Sequence, residues 1–471
     1  LADEHGAVWA VGERECSIQR RHQKVIEEAP APLVERIGGD LRERLYDAAR
    51  KAVSAIGYTG AGTVEFLADE TGRFYFLETN TRLQVEHPVT ELTTGTDLVA
   101  WQLRVAMGEH LDVEEPGTRG HAIEVRLYAE DPSAGWQPQS GTMHRIEIDA
   151  QTHFGPLDRP GVRVDAGIES GSEISTFYDP MLAKVISWAP TRARAAAILA
   201  RALSDAALHG PTTNRDMLVN TLREPTFLSG DTDTGYLDQI GLDVLSAPLA
   251  DESTVTLAAV AATLAEVAVN RERARVQRSL PAGWRNMPSQ YSHKTFRTDD
   301  DVEHEVRYRC TRGGSVELPD VADTEVVSTT TEQVVLSHNG IRRTFDVARY
   351  CDDVYVDTAG ASVHFRRPPR FVDPSAVARP GSLLAPMPGS VIRVAVSEGD
   401  RVTAGQPLIW LEAMKMEHTV AAPADGVVST LAVEAGRQLA VGDVLAIITD
   451  EADNDSETEH SDAPTPQETS A

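Results

Sequence analysis

Cysteine, basic residues and long apolar runs are all scarce in this 471-residue chain, and each shortage excludes a class of protein. The three cysteines, Cys16, Cys310 and Cys351, have neither paired nor metal-ligand spacing, which argues against disulfides and thiol redox chemistry. Lysine and arginine number 44 against 72 aspartate and glutamate, and the net charge of −28 disfavours nucleic acid and anionic membranes as partners. No run of about 18 apolar residues and no signal peptide is found, so we expect a cytoplasmic protein without a membrane partner.

A repeat stands out near the end of the chain. The first copy contains Ala385, Pro386, Gly389, Val391, Val394, Val396, Gly399, Val402, Gly405 and Leu408. The second copy, at a constant offset of 37, contains Ala422, Pro423, Gly426, Val428, Leu431, Val433, Gly436, Leu439, Gly442 and Leu445. Alternating apolar runs predict strands and the glycines predict turns. We therefore expect two equivalent half-sheets that cover each other as a small flattened barrel.

The segment 410–419 joins the two copies, and strands on both sides make it a hairpin with Met414, Lys415 and Met416 at its tip. Lys415 is then presented to solvent, and two exposed methionines beside it suit recognition by a partner. Ala-Met-Lys-Met in such a repeat resembles the biotinylation site of biotin carboxyl carrier domains over residues 383–449. The resemblance implies covalent biotin on Lys415, attached by a biotin protein ligase. The alternative is a lipoyl carrier domain, which has the same barrel but resembles Asp-Lys-Ala at the tip, so the sequence favours biotin.

Acidic residues also stand inside apolar strand patterns near the start of the chain. Residues 63–67 and 74–78 flank the turn signal Asp-Glu-Thr-Gly at 69–72 and should form a hairpin with Glu65 directly opposite Glu78. Like charges directly opposite each other destabilise a sheet, so this pair needs a compensating cation. Magnesium, which binds through one or two carboxylates plus substrate phosphates, is the natural candidate, with manganese as its substitute.

The pattern of period two continues beyond this hairpin. If the segment stays extended, Asn80, Arg82, Gln84 and Glu86 follow Glu78 on one face, although a solvated strand face would alternate in the same way. Three segments then resemble biotin carboxylase, an ATP-grasp enzyme, over about residues 1–225. They are CSIQRRHQKV at 16–25, ETNTRLQVEHP at 78–88 and GHAIEVR at 120–126.

This resemblance implies a role for each matching residue. It implies that Glu65, Glu78 and Asn80 hold the metal, that His22 and Glu65 contact ATP, and that bicarbonate is held by Lys24, Arg82, Gln84 and the backbone of Val85. Arg82 and Glu86 would be catalytic, with Glu86 as the general base that activates bicarbonate towards the γ-phosphate. Arg126 would contact biotin and stabilise the enolate of its ureido group, as an oxyanion site does.

The family has an N-terminal domain and an ATP lid before the point where this chain opens. No glycine-rich phosphate loop precedes the strands described above, and the chain starts at Leu1 rather than at a methionine. We therefore expect a truncated form of a longer subunit that does not bind ATP properly by itself.

The rest of the chain predicts a multidomain α+β fold. We divide it into the C-terminal part of an ATP-grasp domain (1–117), a carboxylase C-terminal domain with a helix at 191–208 (118–225), a linker (226–250), a docking domain (251–372), a mobile tether (373–382), the biotinyl carrier (383–450) and a disordered acidic tail (451–471).

The proposed docking domain, 251–372, begins with a helix that Asp251 or Ser253 can cap, and continues as strands from His304 with a hairpin turn at Asn339-Gly340. With the segment 281–286 between helix and strands, it resembles the subunit-docking domain of acyl-CoA carboxylase α subunits, although any small β domain acting as a spacer would fit. Trp284 in that segment is expected in the core rather than at a contact.

No carboxyltransferase sequence is found, so the resemblance implies a hetero-oligomer with a carboxyltransferase β subunit. It implies a ligase of the propionyl- or methylcrotonyl-CoA carboxylase type. A non-catalytic biotin or lipoyl carrier scaffold with a remnant carboxylase half is the alternative. Pyruvate carboxylase is disfavoured, because its transferase lies between the carboxylase and carrier parts.

Overall fold

The computed structural model describes residues 1–111, 114–277, 280, 290–311, 315–371, 381–414 and 416–449. Lys415, the motif at 281–286 with Trp284, the predicted tether up to residue 380 and the acidic tail lie outside the described residues. The chain divides into two compact units. One comprises Leu1–Tyr128, Met143–Ser172 and Met181–Pro368, and the other comprises Ala129–Thr142, Glu173–Pro180 and the residues from Pro369 onward.

Helices and strands alternate irregularly in the first 250 residues. The helices are α1 (Pro32–Ile37), α2 (Leu41–Ala55), α3 (His87–Thr94), α4 (Leu98–Ala106), α5 (Arg192–Ser204), α6 (Arg215–Arg223), α7 (Pro225–Ser229), α8 (Tyr236–Ile240) and α9 (Leu242–Leu245). The strands are β1 (Glu15–Arg20), β2 (Gln23–Ala29), β3 (Thr63–Ala68), β4 (Phe74–Asn80), β5 (His121–Tyr128), β6 (Glu130–Asp131), β7 (Gln137–Pro138), β8 (Gly141–Met143), β9 (Arg145–Glu147), β10 (Thr152–His153), β11 (Gly161–Ala166), β12 (Ser172–Ile174), β13 (Met181–Ala189) and β14 (Ala207–His209). Mixed α+β content confirms the predicted fold class.

A six-stranded sheet in the order β1-β2-β5-β13-β11-β10 organises this part of the first unit. Every neighbouring pair is antiparallel except β10 and β11. Helix α3 covers one face, where Val89 and Leu92 pack with Ala122 and Ile186. Helix α5 covers the other face, where the Ser187 hydroxyl donates to the Ala195 carbonyl. This helix confirms the one predicted in 191–208. The central strands are therefore buried on both faces, including their charged residues.

The predicted acidic hairpin is confirmed. Strands β3 and β4 pair around the turn at residues 69–73, and Glu65 lies directly opposite Glu78 as expected. The extended continuation beyond it was wrong. Strand β4 ends at Asn80, a turn follows at 85–86, and α3 begins at His87 with Pro88 in its first turn. Pro88 has a fixed φ suited to helix starts, so the His-Pro pair opens a helix here.

The stretch predicted as a linker, 226–250, contains most of α7 together with α8 and α9. It buries Phe227, Tyr236 and Leu245. The domain boundaries stay a prediction.

A long helix, α10 (Glu252–Arg273), forms the centre of the following domain. The Asp251 side chain accepts a hydrogen bond from the Thr254 amide at 2.7 Å, which confirms the predicted cap. By length and composition alone α10 could cross a membrane. Its middle residues from Leu257 to Ala265 are instead buried against the surrounding strands, as in the core helix of a globular domain.

An eight-stranded antiparallel sheet surrounds α10 as a nearly closed barrel in the order β17-β16-β15-β22-β21-β20-β19-β18. Its strands are β15 (Ser292–Arg297), β16 (Glu303–Cys310), β17 (Val316–Glu317), β18 (Thr324–Thr329), β19 (Gln333–His338), β20 (Ile341–Tyr350), β21 (Asp353–Thr358) and β22 (Ala361–Arg366). Asn339 and Gly340 form the predicted hairpin turn with φ of 50° and 77°.

Two four-stranded sheets in the second unit confirm the predicted flattened barrel. Their strands are β23 (Ser382–Leu384), β24 (Gly389–Val394), β25 (Arg401–Val402), β26 (Pro407–Ala413), β27 (Met416–Ala421), β28 (Gly426–Leu431), β29 (Gln438–Leu439) and β30 (Val444–Thr449). The orders β23-β30-β28-β25 and β27-β26-β24-β29 are related strand by strand through the sequence repeat. Equivalent apolar residues of the two copies, such as Val391 and Val428, meet in one core.

Candidate active site

The acidic hairpin supplies one wall of a cluster of charged side chains. Asn80 Nδ2 bridges the two glutamates, donating to Glu65 Oε1 at 3.1 Å and to Glu78 Oε1 at 2.8 Å. Gln84 Nε2 donates to the same Glu65 oxygen at 2.6 Å. Gln84 thus reaches the hairpin although its segment is not extended, because the turn before α3 folds it back.

Lys24 connects this wall to the start of α3. Its ammonium lies 3.0 Å from Glu65 Oε1 and 2.6 Å from Glu86 Oε1. Glu86 is the N-cap residue of α3 and is 2% exposed. Burial alone would raise the pKa of Glu86, but the positive charges of Arg14 and Lys24 outweigh it and hold this pKa below its ordinary value. Glu86 is therefore ionised at neutral pH, as a general base must be.

Arg126 approaches Glu86 from the central sheet. Strand β5 holds its guanidinium so that Nη2 donates to Glu86 Oε2 at 3.1 Å, while Nε donates to Glu27 Oε1 at 2.6 Å. The two oxygens of Glu86 are thus held by a lysine and an arginine from neighbouring strands. The network brings together Lys24, Glu65, Glu78, Asn80, Gln84, Glu86 and Arg126.

An open cleft of about 670 Å³ gives access to this network. Its lining includes Lys24, Glu65, Arg82, Gln84 and Glu86. Arg82 is exposed, so its guanidinium is available to an incoming anion. The Val85 carbonyl accepts a hydrogen bond from Lys184 Nζ at 2.9 Å, which fixes the turn that carries Gln84 and Glu86.

His22 is placed differently. It lies with Arg21 in the exposed two-residue turn between β1 and β2, and both residues have positive φ. Its predicted contact with a nucleotide stays a prediction.

Two residues that support this network were not predicted. Arg14 donates to Gln84 Oε1 at 3.1 Å, and to the hydroxyls of Thr63 and Thr90. Lys184 holds the Val85 carbonyl. A single lysine in the apolar strand β13 was a usable signal for Lys184, because such a charge needs a buried partner. Arg14 stands between Glu13 and Glu15 and resembles an ordinary solvated residue in the sequence.

The donor set suits a hard divalent cation. Glu65, Glu78 and Asn80 offer oxygen atoms, the ligands that magnesium and manganese prefer. Within the described ranges, no group of three or more His, Cys, Asp or Glu side chains could hold a metal ion by itself. Two carboxylates and an amide therefore fit a cation that also binds substrate phosphates.

The carrier hairpin forms as predicted, with Trp410 opposite Thr419 and Ala413 opposite Met416. Lys415, the predicted biotin site, lies outside the described residues. The expected exposure of Met414 was wrong. Met414 is 4% exposed, has a φ of 50°, and donates its amide to the Thr176 carbonyl at 3.0 Å.

Four family models match the chain in succession. They are the carbamoyl-phosphate synthase L chain ATP binding domain at residues 1–114 and the biotin carboxylase C-terminal domain at 124–239. The methylcrotonyl-CoA carboxylase alpha-subunit BT domain follows at 251–370, and the biotin-requiring enzyme model at 381–448. The ATP-grasp part, the docking domain and the biotinyl barrel of the predicted fold are thereby confirmed.

Relatives that match nearly the whole chain are acyl-CoA carboxylase alpha subunits. The propionyl-CoA carboxylase alpha chain of Ruegeria pomeroyi is 38% identical over 94% of this chain and 68% of its own length. The mitochondrial methylcrotonoyl-CoA carboxylase subunit alpha of Dictyostelium discoideum is 35% identical over 92% of this chain and 63% of its own length. This chain thus spans about two thirds of these relatives.

Among solved structures, the complete multifunctional pyruvate carboxylase from Rhizobium etli is 36% identical with a TM-score of 0.50. The match covers 57% of this chain and 26% of that one. It omits much of the chain, whereas the two alpha subunits above match nearly all of it. The chain therefore belongs to the family of propionyl-CoA and methylcrotonoyl-CoA carboxylase alpha subunits.

Proposed function

We propose that this chain is the biotin carboxylase and biotin-carrying part of an acyl-CoA carboxylase α subunit. It is a ligase component that uses ATP and bicarbonate, with magnesium or manganese, to load a carboxyl group onto biotin at Lys415. The observation that carries the proposal is the contact of Glu86 with both Lys24 and Arg126, beside the acidic hairpin, on the same chain as the carrier barrel.

The first half of the reaction needs a base and an anion site. Glu86 removes the bicarbonate proton, and the resulting nucleophile attacks the γ-phosphate of ATP to give carboxyphosphate and ADP. Lys24, Arg82, Gln84 and the backbone of Val85 are the groups that we assign to bicarbonate. Bicarbonate would displace Lys24 from part of its contact with Glu86, because both anions compete for one ammonium.

The second half needs stabilisation of negative charge. Carboxyphosphate would break down to carbon dioxide and phosphate, and this phosphate would take the proton of the ureido nitrogen. Biotin, when attached to Lys415, would supply that nitrogen, which bonds to the carbon dioxide. Arg126 is fixed on the buried strand β5, so its guanidinium can stabilise an oxyanion without having to move. Glu65, Glu78 and Asn80 would hold the divalent cation on the ATP phosphates, while His22 and Glu65 contact the nucleotide.

The partners follow from what the chain carries. A domain that matches the BT model and a carrier barrel suit delivery of carboxylated biotin to a carboxyltransferase β subunit in a hetero-oligomer. A biotin protein ligase would modify Lys415. We also propose a cytoplasmic location and an acyl-CoA of the propionyl or methylcrotonyl type as the final acceptor.

The carrier-scaffold alternative is not favoured. A remnant carboxylase half would have no need to keep Glu86 buried and ionised between two cations, because burying such charges is costly.

The test is Glu86→Gln in the complete subunit. We expect bicarbonate-dependent ATP cleavage to fall by about 10²-fold or more, since the amide cannot accept the proton. Nucleotide binding, measured by fluorescence titration, should change little. Glu43→Gln is the matched control, because Glu43 is exposed on α2 and does not line the cleft. Full activity of the Glu86 variant would remove this residue as the base.

A further inference from the structure

Glu27 and Glu124 are a pair of buried carboxyl groups to which the proposed reaction assigns no role. They lie directly opposite each other on β2 and β5, and each is 0% exposed. Residues directly opposite on an antiparallel pair have Cβ atoms about 4.5–5.5 Å apart and point to the same face. Helix α3 covers the sheet here, packing against β2, β5 and β13. The two carboxyl groups are therefore enclosed beneath the helix that Glu86 caps.

The hydrogen bonding of the pair is unequal. Glu27 Oε1 accepts from Arg126 Nε at 2.6 Å. Among the described residues, Glu27 Oε2 and both Glu124 oxygens have no hydrogen-bond partner. Unpartnered buried carboxylate oxygens are strongly unfavourable, and a proton on one carboxyl group converts it from an acceptor into a donor. A hydrogen bond from a protonated Glu124 to Glu27 Oε2 would provide partners for two of the three oxygens.

The balance of charges around the pair also favours a proton on one of the two carboxyl groups. Arg126 is the cation in direct contact with Glu27, and Glu86 takes its other side. If both buried carboxyls were ionised, the Arg126 guanidinium would face three carboxylates. Lys24 and Lys184 also attract the pair, but their ammonium groups bind other acceptors: Glu65, Glu86, the Val85 carbonyl and Asp165. Two carboxylates that share a site do not both ionise readily.

We propose that Glu27 and Glu124 hold one proton between them at neutral pH, as a carboxylic acid hydrogen-bonded to a carboxylate. We further propose that they act as positioning residues that hold Arg126 against Glu86. The kinetic part of this inference rests on the proposed carboxylase function, whereas the proton itself does not. Burial raises the pKa of Glu27 to about 7, against the opposing charge of Arg126. Burial, with repulsion from Glu27, raises the pKa of Glu124 well above its ordinary range.

The consequence concerns the charge of Arg126. With one proton on the pair, Arg126 lies beside a single negative charge of the pair. Its guanidinium therefore still attracts Glu86 and an oxyanion. A second negative charge there would raise the pKa of Glu86 and weaken Arg126 as an oxyanion site. Several charged or titratable groups surround Glu86: Arg14, Cys16, Lys24, Glu27, Glu65, His87, Glu124, Arg126 and Lys184.

Infrared difference spectroscopy of this chain tests the shared proton without any catalysis. We expect the carbonyl stretch of a protonated, buried carboxyl at neutral pH, and its loss in Glu124→Gln. Glu28→Gln is the matched control, since Glu28 is also buried in the same strand but is hydrogen-bonded to His121 and ion-paired with Arg192. That variant should keep the band. A wild-type spectrum without such a band would overturn the proposal, and this measurement needs no variant to fold.

The acid limb of kcat near pH 7, measured at saturating bicarbonate, tests the positioning role in the holoenzyme, because Glu27 titrates there and orients Arg126 only when ionised. Glu124→Gln mimics the protonated acid, so we expect the limb to stay where it is. A limb shifted to lower pH would mean that Glu124 is ionised in the wild type, because removing a neighbouring negative charge lowers the pKa of Glu27. That outcome would refute the shared proton.

Glu27→Gln removes the anion that orients Arg126. We expect kcat to fall by about tenfold to a hundredfold with KM for ATP unchanged, because a misplaced catalytic group is this costly. We also expect the acid limb near pH 7 to be lost, because the carboxyl group that titrates there is gone. Unchanged kcat and an unchanged limb would exclude a positioning role. If the wild-type holoenzyme cleaves no ATP while the infrared band is present, the proposed function fails and the carboxyl pair stands.

Discussion

At the residue scale, several of the described charged groups are buried in direct contact with an opposite charge. Glu86, Glu28 and Arg163 are each at most 2% exposed and each has at least one ion-pair partner within 3.1 Å. Removing one partner of a buried ion pair destabilises the fold far more than replacing both partners by apolar residues, because the remaining charge stays buried without compensation. Single substitutions at these positions should therefore have large effects.

Lys415→Arg should abolish biotin attachment while the carrier barrel remains folded. The reason is that the sequence predicts an exposed position for this lysine, whereas the barrel core consists of other residues, such as Leu408 and Leu445. Avidin blotting measures the modification and circular dichroism measures the fold. Lys51→Arg, at an exposed lysine on α2, is the control. This variant should still carry biotin on Lys415. An unfolded Lys415 variant would contradict the prediction.

The Glu28 carboxylate should make stability depend on pH. Burial opposes ionisation, but His121 and Arg192 outweigh it and lower the pKa of Glu28 in the folded state. A lowered pKa stabilises the fold above the unfolded value of about 4.3, and this stabilisation is lost as the pH falls through the folded pKa.

We expect Glu28→Gln to reduce stability by about 3 kcal/mol at pH 7. The difference from wild type should shrink on acidification below about pH 4. Urea unfolding followed by tryptophan fluorescence measures both effects. Glu109→Gln, at an exposed site, should match the wild type throughout. A constant difference at every pH would count against the ion pair as the cause.

At the element scale, the start of α10 is fixed by one side chain. Asp251→Ala should remove the hydrogen bond to the Thr254 amide and cost the first turn about 1 kcal/mol, or about fivefold faster amide hydrogen exchange there. Asp251→Asn keeps a capping oxygen and should exchange at nearly the wild-type rate. Equal exchange in the alanine variant would show that barrel packing, not the cap, fixes this end.

At the scale of the whole molecule, the proposed carboxylase and carrier roles predict a partner polypeptide that carries the carboxyltransferase. Capture of the biotinylated protein on avidin from its native source should co-purify a carboxyltransferase β subunit, identified by mass spectrometry. The Lys415→Arg variant controls for non-specific capture. Recovery of the biotinylated chain without any carboxyltransferase would argue against the acyl-CoA carboxylase assignment.

Local patterns in the sequence were sufficient for much of the fold. The constant offset of 37 defined the symmetric barrel, alternation around a turn signal placed Glu65 opposite Glu78, and Asp251 with an apolar helix pattern defined the start of α10. Each of these features depends on residues close together in the chain, where period and turn chemistry act directly.

The tertiary structure alone decided how the site is assembled. Arg126 and Glu27 are separated by 99 residues, and Lys24 and Glu86 by 62, so no local pattern could show that they touch. The helix start at His87 replaced the expected extended strand, and Met414 proved to be buried. Pairing of β2, β5 and β13 in one sheet, which α3 covers, brings these charges together. Their burial there sets which of them can be ionised.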